Sequence, residues 1–174
     1  MTDILNALKD VRVGLLLAVL TLVYGFGLGM TFGIAEDDIK GSLKADGEAA
    51  LATHYNGDEA KMKAVASKSW VYFKRAHLHA NGLGATAVGL ILLLAFIERK
   101  KMLKSLTAIA IGLGSLGYSM FWMLAGMKAP GMGGTGAAKE ALTWLASPTS
   151  FLCMIGLLIT VFVVVKGLFA GSKS

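Results

Sequence analysis

The chain has 174 residues and a formal net charge of +6, with 55% hydrophobic residues, 16% charged residues and a mean hydropathy of +0.65. A soluble domain carries roughly 25% charged residues, so the composition excludes an ordinary soluble fold, and the length points to a single domain. The positive charge lies beside apolar segments and no basic run with interleaved aromatics is present, which speaks against a nucleic-acid partner.

Residues 1–12 form a short amphipathic lead-in, with Ile4, Leu5, Leu8 and Val11 at helical spacing. Four windows without charge follow: Val13–Ile34, Ala80–Ile97, Ser105–Met127 and Ala141–Val165. Each is near the roughly 20 residues that carry a helix across a hydrocarbon core of about 30 Å. Backbone groups in lipid must be satisfied within the segment, and the unbroken apolar runs do not suit the alternating strands of a barrel. The expected fold is therefore all-α, a four-helix transmembrane bundle with helices at about 13–34, 77–97, 103–127 and 148–165. The first window follows Lys9 and Arg12 but exceeds a signal-peptide core of about 7–15 residues, so it is expected to stay as the first helix.

Between the first two helices lies a polar stretch, 35–75, expected to be a small helical extracytoplasmic segment. Asp58 can cap a helix starting at Glu59, and Met62, Val65, Ala66, Trp70 and Phe73 then share one side. That segment is expected to run on into the second membrane helix. A basic turn, Glu98–Lys104, leads straight into the third helix, and a Gly-rich loop, 127–148, precedes the fourth. Raw Lys and Arg counts on the two sides nearly balance. The dense Arg99–Lys104 turn, set against a charge-balanced outer segment, favours cytoplasmic termini in a bacterial inner membrane. Trp70, Trp122 and Trp144 would then mark the opposite interface.

Gly25, Gly29 and Gly33 recur at steps of four in the first helix, and Gly112, Ser115 and Ser119 lie near one face of the third. Small residues at such spacing allow close backbone approach, within the bundle or at a subunit seam. Cys153 is the only cysteine, so no intrachain disulfide forms. There is no nucleophile turn, no phosphate-cradling loop and no Cys-x-x-Cys. No acidic residue lies within the membrane windows, which counts against an ion-coupled transporter. The protein is not expected to be an enzyme by itself.

Histidine is what remains. Two of the three fall in Arg75-Ala76-His77-Leu78-His79-Ala80-Asn81-Gly82-Leu83-Gly84, where the second helix meets the membrane. Imidazole ligates haem iron or copper. Residues two apart on a helix point about 200° apart, so His77 and His79 cannot serve one site on a regular helix. His79 shares its stripe with Arg75, Gly82, Thr86 and Gly89, a short-side-chain wall on which a flat macrocycle could lie, with Arg75 placed to meet a propionate. His79 is the first candidate ligand and His77 the second. Met123 and Met127, with Met120, Met132 and Met30, lie at the same outer depth. They offer His/Met haem ligation or a Cu(I) site. The competing reading is that the histidines are interfacial and the methionines pack. His54, beside Tyr55, reads as a solvated residue.

The run His77-x-His79-x-Asn81-x-x-Gly84, with Arg75 before it, resembles a histidine helix of the haem-copper oxidase and nitric oxide reductase main subunit family. The resemblance implies that His79 is an axial ligand of a low-spin haem b, with Asn81 as its neighbour. It covers ten residues (75–84), and the other three membrane helices contain no histidine, so that family's active site is not implied. The function expected is a non-catalytic subunit of a larger, respiratory membrane assembly that binds haem b near the outer face. A cofactor-free structural subunit and a copper-handling protein are the alternatives. The partners expected are membrane lipid and other membrane subunits or further copies of the chain.

Overall fold

The computed structural model describes residues 2–169, which include no β-strand. Lys173, one of the basic residues that cytoplasmic termini would place on the inner side, lies outside them. Helix α1 (Thr2–Lys9) lies at the start of α2 (Arg12–Ala49). A short α3 (Leu51–Tyr55) precedes α4 (Glu59–Ala95), α5 (Lys101–Lys128), α6 (Thr135–Ala141) and α7 (Thr143–Phe169). Four of these, α2, α4, α5 and α7, are long and apolar enough to cross a membrane.

The polar stretch 35–75, expected as a small helical segment running on into the second membrane helix, is largely the continuation of two long helices, α2 as well as α4. At 1.5 Å per residue, the 38 residues of α2 span roughly 57 Å, far beyond a hydrocarbon core of about 30 Å. A break at Ala35 (φ −129°, ψ 27°) falls where the apolar run gives way to Glu36-Asp37-Asp38. The return helix begins as its capping residue requires: the Asp58 carboxylate accepts from the Lys61 amide at 2.9 Å. From there α4 runs to Ala95 without interruption. Its predicted inner side closes on the hairpin, with Met62 and Phe73 buried. The hairpin tip is fastened at a distance, because the buried Tyr55 hydroxyl donates to the Pro130 carbonyl at 2.7 Å. Gly133, at φ +74°, lies against His54, where a Cβ would stand 2.8 Å from the His54 Cβ.

α5 is the central helix. It packs against α2, α4 and α7, whereas α7 touches α4 only at its margin. Half of the apolar window of α5 is buried inside the protein (50%), against 22% for α2 and for α7. The described arrangement is thus a triangle of α2, α4 and α5 with α7 laid on the far side of α5. Glycines set the close approaches. An added Cβ on Gly14 would stand 2.2 Å from the Ala108 backbone, and one on Gly112 would stand 2.5 Å from the Gly14 carbonyl oxygen.

Two further features differ from the sequence reading. α7 starts at Thr143 rather than near 148, with Pro148 inside it. Proline removes one helix hydrogen bond, but Pro148 is exposed and near the helix start. Leu142, just before α7, is buried beside Tyr72 and Phe121, which explains the apolar patch in the Gly-rich segment. At the other end, Lys104 is not a solvated anchor. It is buried, donates to the Ala95 carbonyl at 3.1 Å and pairs with Asp10 at 3.2 Å. Lys101 reaches the same carboxylate at 3.5 Å.

Candidate functional site

His77 and His79 leave α4 on different sides, as helical geometry demands. His77 faces α2. Its Nδ1–H donates to the Gly25 carbonyl at 2.9 Å, and Asn81 Nδ2 donates to the His77 carbonyl at 3.0 Å. The ring fits because α2 carries glycine there: a Cβ on Gly29 would stand 2.7 Å from His77 Cε1, and one on Gly25 would stand 2.8 Å from Asn81 Oδ1. Phe32 meets the ring edge-on at 5.9 Å. Gly25 and Gly29 are therefore occupied within the chain, while Gly33 has nothing within 4 Å of an added Cβ.

His79 faces α5 and α7. Its Nδ1 lies 2.8 Å from the Arg75 carbonyl. A carbonyl oxygen only accepts, so Nδ1 carries the proton in this bond, and Nε2 is the ring nitrogen left outside it. The ring lies 5.4 Å from Tyr118 and 5.7 Å from Trp122, centroid to centroid. Arg75 is held one turn further out, its guanidinium over Tyr72 at 5.3 Å and over Trp122 at 5.0 Å. Trp122 Nε1 is buried without a hydrogen-bond partner.

His79 stands at one end of a cleft of about 340 Å³ between α4 and α7, floored by α5. Tyr118 and Ser150 share the His79 end, Ser115, Cys153 and Met154 the middle, and Leu90 and Leu157 the opposite end. The eleven helical steps of α4 from His79 to Leu90 set its length at roughly 16 Å. The cleft exists because α7 packs on α5 and barely on α4. The Gly82 and Gly89 positions of the His79 stripe are open, with nothing within 4 Å of an added Cβ.

The methionines singled out from sequence lie elsewhere. Met123 Sδ accepts from the Tyr24 hydroxyl at 3.1 Å, on the α2 side of α5. Met127 lines a separate groove with Leu43 and Phe73. Neither lines the His79 cleft, whereas Met154 does. Sequence spacing alone could not select Met154, because helix rotation and the packing partner of α7 decide which residues face α4. Among the described residues, no cluster of three His, Cys, Asp or Glu side chains is placed to hold a metal ion.

Comparisons with protein-family models, curated proteins and solved structures give no match to this chain. Its class rests on its own fold: all-α among the described residues, with four helices long and apolar enough to cross a membrane, the mark of a multi-pass membrane protein.

Proposed function

We propose that this chain is a non-catalytic membrane subunit of a larger, respiratory-type assembly, and that its α4–α5–α7 cleft holds haem b with His79 as an axial ligand. The carrying observation is the His79 hydrogen bond to the Arg75 carbonyl. Metal-ligating histidines commonly donate their other ring N–H to a carbonyl or carboxylate, which fixes the tautomer and raises the basicity of the ligating nitrogen. The surroundings fit a flat apolar group. The cleft is within the range of small-molecule sites, about 300–1,000 Å³, and its α4 wall is apolar apart from His79 and Thr86, while Gly82 and Gly89 face open space outside its lining. Arg75 is engaged by aromatic faces and by no carboxylate among the described residues, so it is free to meet a propionate. Met154, from the facing helix, is the candidate second ligand within the chain. Bound haem would supply one-electron redox chemistry. The residues here would bind it, orient it and keep water from it.

The cleft also favours a second reading through its soft groups. Cys153 and Met154 line it with His79, a donor set that suits Cu(I). Metal analysis and a reduced-minus-oxidised spectrum of the protein purified in mild detergent separate the readings. A haem band lost in His79→Ala and kept in His77→Ala supports haem. Stoichiometric copper without haem supports copper handling. Neither, even with native partners retained, leaves a cofactor-free structural subunit.

The same proposal places both termini in the cytoplasm, because four spans return the chain to its starting side and the Arg99–Lys104 turn is densely basic. In a Cys153→Ser background, cysteines at Ser42 and Lys139 should react with an impermeant reagent added outside intact cells. A cysteine at Lys101, whose side chain is 77% exposed, should not. The reverse pattern inverts the orientation.

A further inference from the structure

A second groove lies at the end of the molecule away from His79. There α4 stops at Ala95 and the chain turns through 96–100 into α5. The last turns of α7 come alongside, so that a Cβ on Gly167 would stand 3.8 Å from Ile97 Cγ2. Between them is a cavity of about 610 Å³. Leu93, Phe96, Ile97 and Val164 form its apolar walls, with Glu98 and Arg99 at its lip. Leu93 and Phe96 are 54% and 58% exposed, so the groove opens sideways toward lipid.

The lip has an unusual charge arrangement. Arg99 is half-buried, and among the described residues the only bond it makes is from Nη1 to the Glu98 carbonyl at 2.7 Å. A guanidinium has five N–H donors, so most of its capacity is unused. No carboxylate pairs with it among the described residues, and none of the ion pairs there involves Glu98. Of the neighbouring cations, Lys101 and Lys104 are taken by Asp10, Lys166 lies over Phe162, and Lys100, in no ion pair among the described residues, does not line the groove any more than Lys166 does. Two adjacent, oppositely charged and unpaired groups therefore sit at the mouth of an apolar groove, where an apolar helix ends. A zwitterionic head carrying a phosphodiester and a primary ammonium complements both.

We propose that this groove binds one phosphatidylethanolamine molecule, its phosphodiester on Arg99, its ammonium on Glu98, and an acyl chain along Leu93, Phe96 and Val164. Arg99 can hold the phosphate through two parallel charge-assisted bonds. The carboxylate of Glu98 distinguishes a primary ammonium, which donates hydrogen bonds, from a quaternary one, which does not. The site is independent of the His79 cleft and of which leaflet faces the cytoplasm.

The test uses the full-length protein in detergent with equimolar phosphatidylethanolamine, phosphatidylcholine and phosphatidylglycerol of identical acyl chains, retained lipid being counted by native mass spectrometry. Wild-type protein should keep one phosphatidylethanolamine with a preference of about tenfold over phosphatidylcholine, the scale of one charge-assisted hydrogen bond. Glu98→Gln should erase that preference while lipid is still retained, and Arg99→Gln should lower retention of all three. Both changes lie in the turn between helices, and unchanged melting curves would confirm that each variant is folded. Equal retention of the ethanolamine and choline lipids by wild type overturns the proposal. So does a preference for phosphatidylglycerol, which would make the turn a general anionic-lipid surface, or indifference of retention to both variants.

Discussion

His77 and His79 are the same residue type, at the same depth, on the same helix, yet they face opposite surroundings. His77 is enclosed by Gly25, Gly29 and Phe32 of α2, and its ring is used in joining two helices. His79 stands at the mouth of a cleft with its Nε2 left free of the backbone bond at Nδ1. The difference arises from neighbours. α2 brings glycines and packs tightly on one side of α4, while α7 stays with α5 and leaves the other side open. A histidine becomes a helix fastener or a candidate ligand according to which helix stands opposite.

The sharpest way to break this comparison is to remove each ring in turn. On the haem reading, His79→Ala abolishes the reduced-minus-oxidised band with little change in melting temperature. His77→Ala keeps the band but lowers stability by about 0.5–3 kcal/mol, the usual range for losing a packed, hydrogen-bonded side chain. His54→Ala leaves the band unchanged. Reversed roles for the first two, read from spectra and thermal melts of the same samples, would undo the assignment.

The glycines beneath His77 allow a second test. Gly29→Leu drives a branched side chain into the imidazole and should cost about 1–3 kcal/mol or prevent assembly. Gly33→Leu meets open space and should melt like wild type. If both variants behave alike, the α2–α4 contact is not what holds His77.

A third contrast sets the partly buried Asp10–Lys104 pair beside the α4–α5 turn against the exposed pairs of the α2–α4 hairpin. Burial alone pushes the Asp10 carboxyl up, but pairing with Lys104 and then Lys101 outweighs it and holds the group below its ordinary value of 3.8. A depressed carboxylate contributes stability that is present in full above its ordinary value and is lost as pH falls through the folded one. Asp10→Asn should therefore lower the melting temperature at neutral pH and flatten the loss of stability between neutrality and about pH 3. The Glu59–Lys63 pair also holds its carboxyl low, but both side chains are largely exposed. Glu59→Gln should change melting little. Equal effects in salt-matched melts would remove the distinction. Smallest of all, Tyr24→Phe removes the hydroxyl on Met123 Sδ and should cost at most about 1 kcal/mol, with no change at the His79 cleft.

Much of this architecture is legible in the sequence, because the dominant force is local. Charge-free runs of membrane length specify four helices whatever packs beside them, and Asp58 announces the start of α4 through a cap that needs only its own first turn. The 3.6-residue repeat also suffices to separate His77 from His79. The tertiary structure decided what no repeat encodes. It joined α2 to α4 in a long hairpin tied down by Tyr55 and Pro130, which lie 75 positions apart. It buried Lys104 against Asp10 and placed Met123 on Tyr24. Above all it laid α7 on α5, opening the cleft that His79 shares with Met154. These outcomes depend on which helices become neighbours. In lipid, every apolar face suits the solvent equally well, and close-packing small residues select the partner.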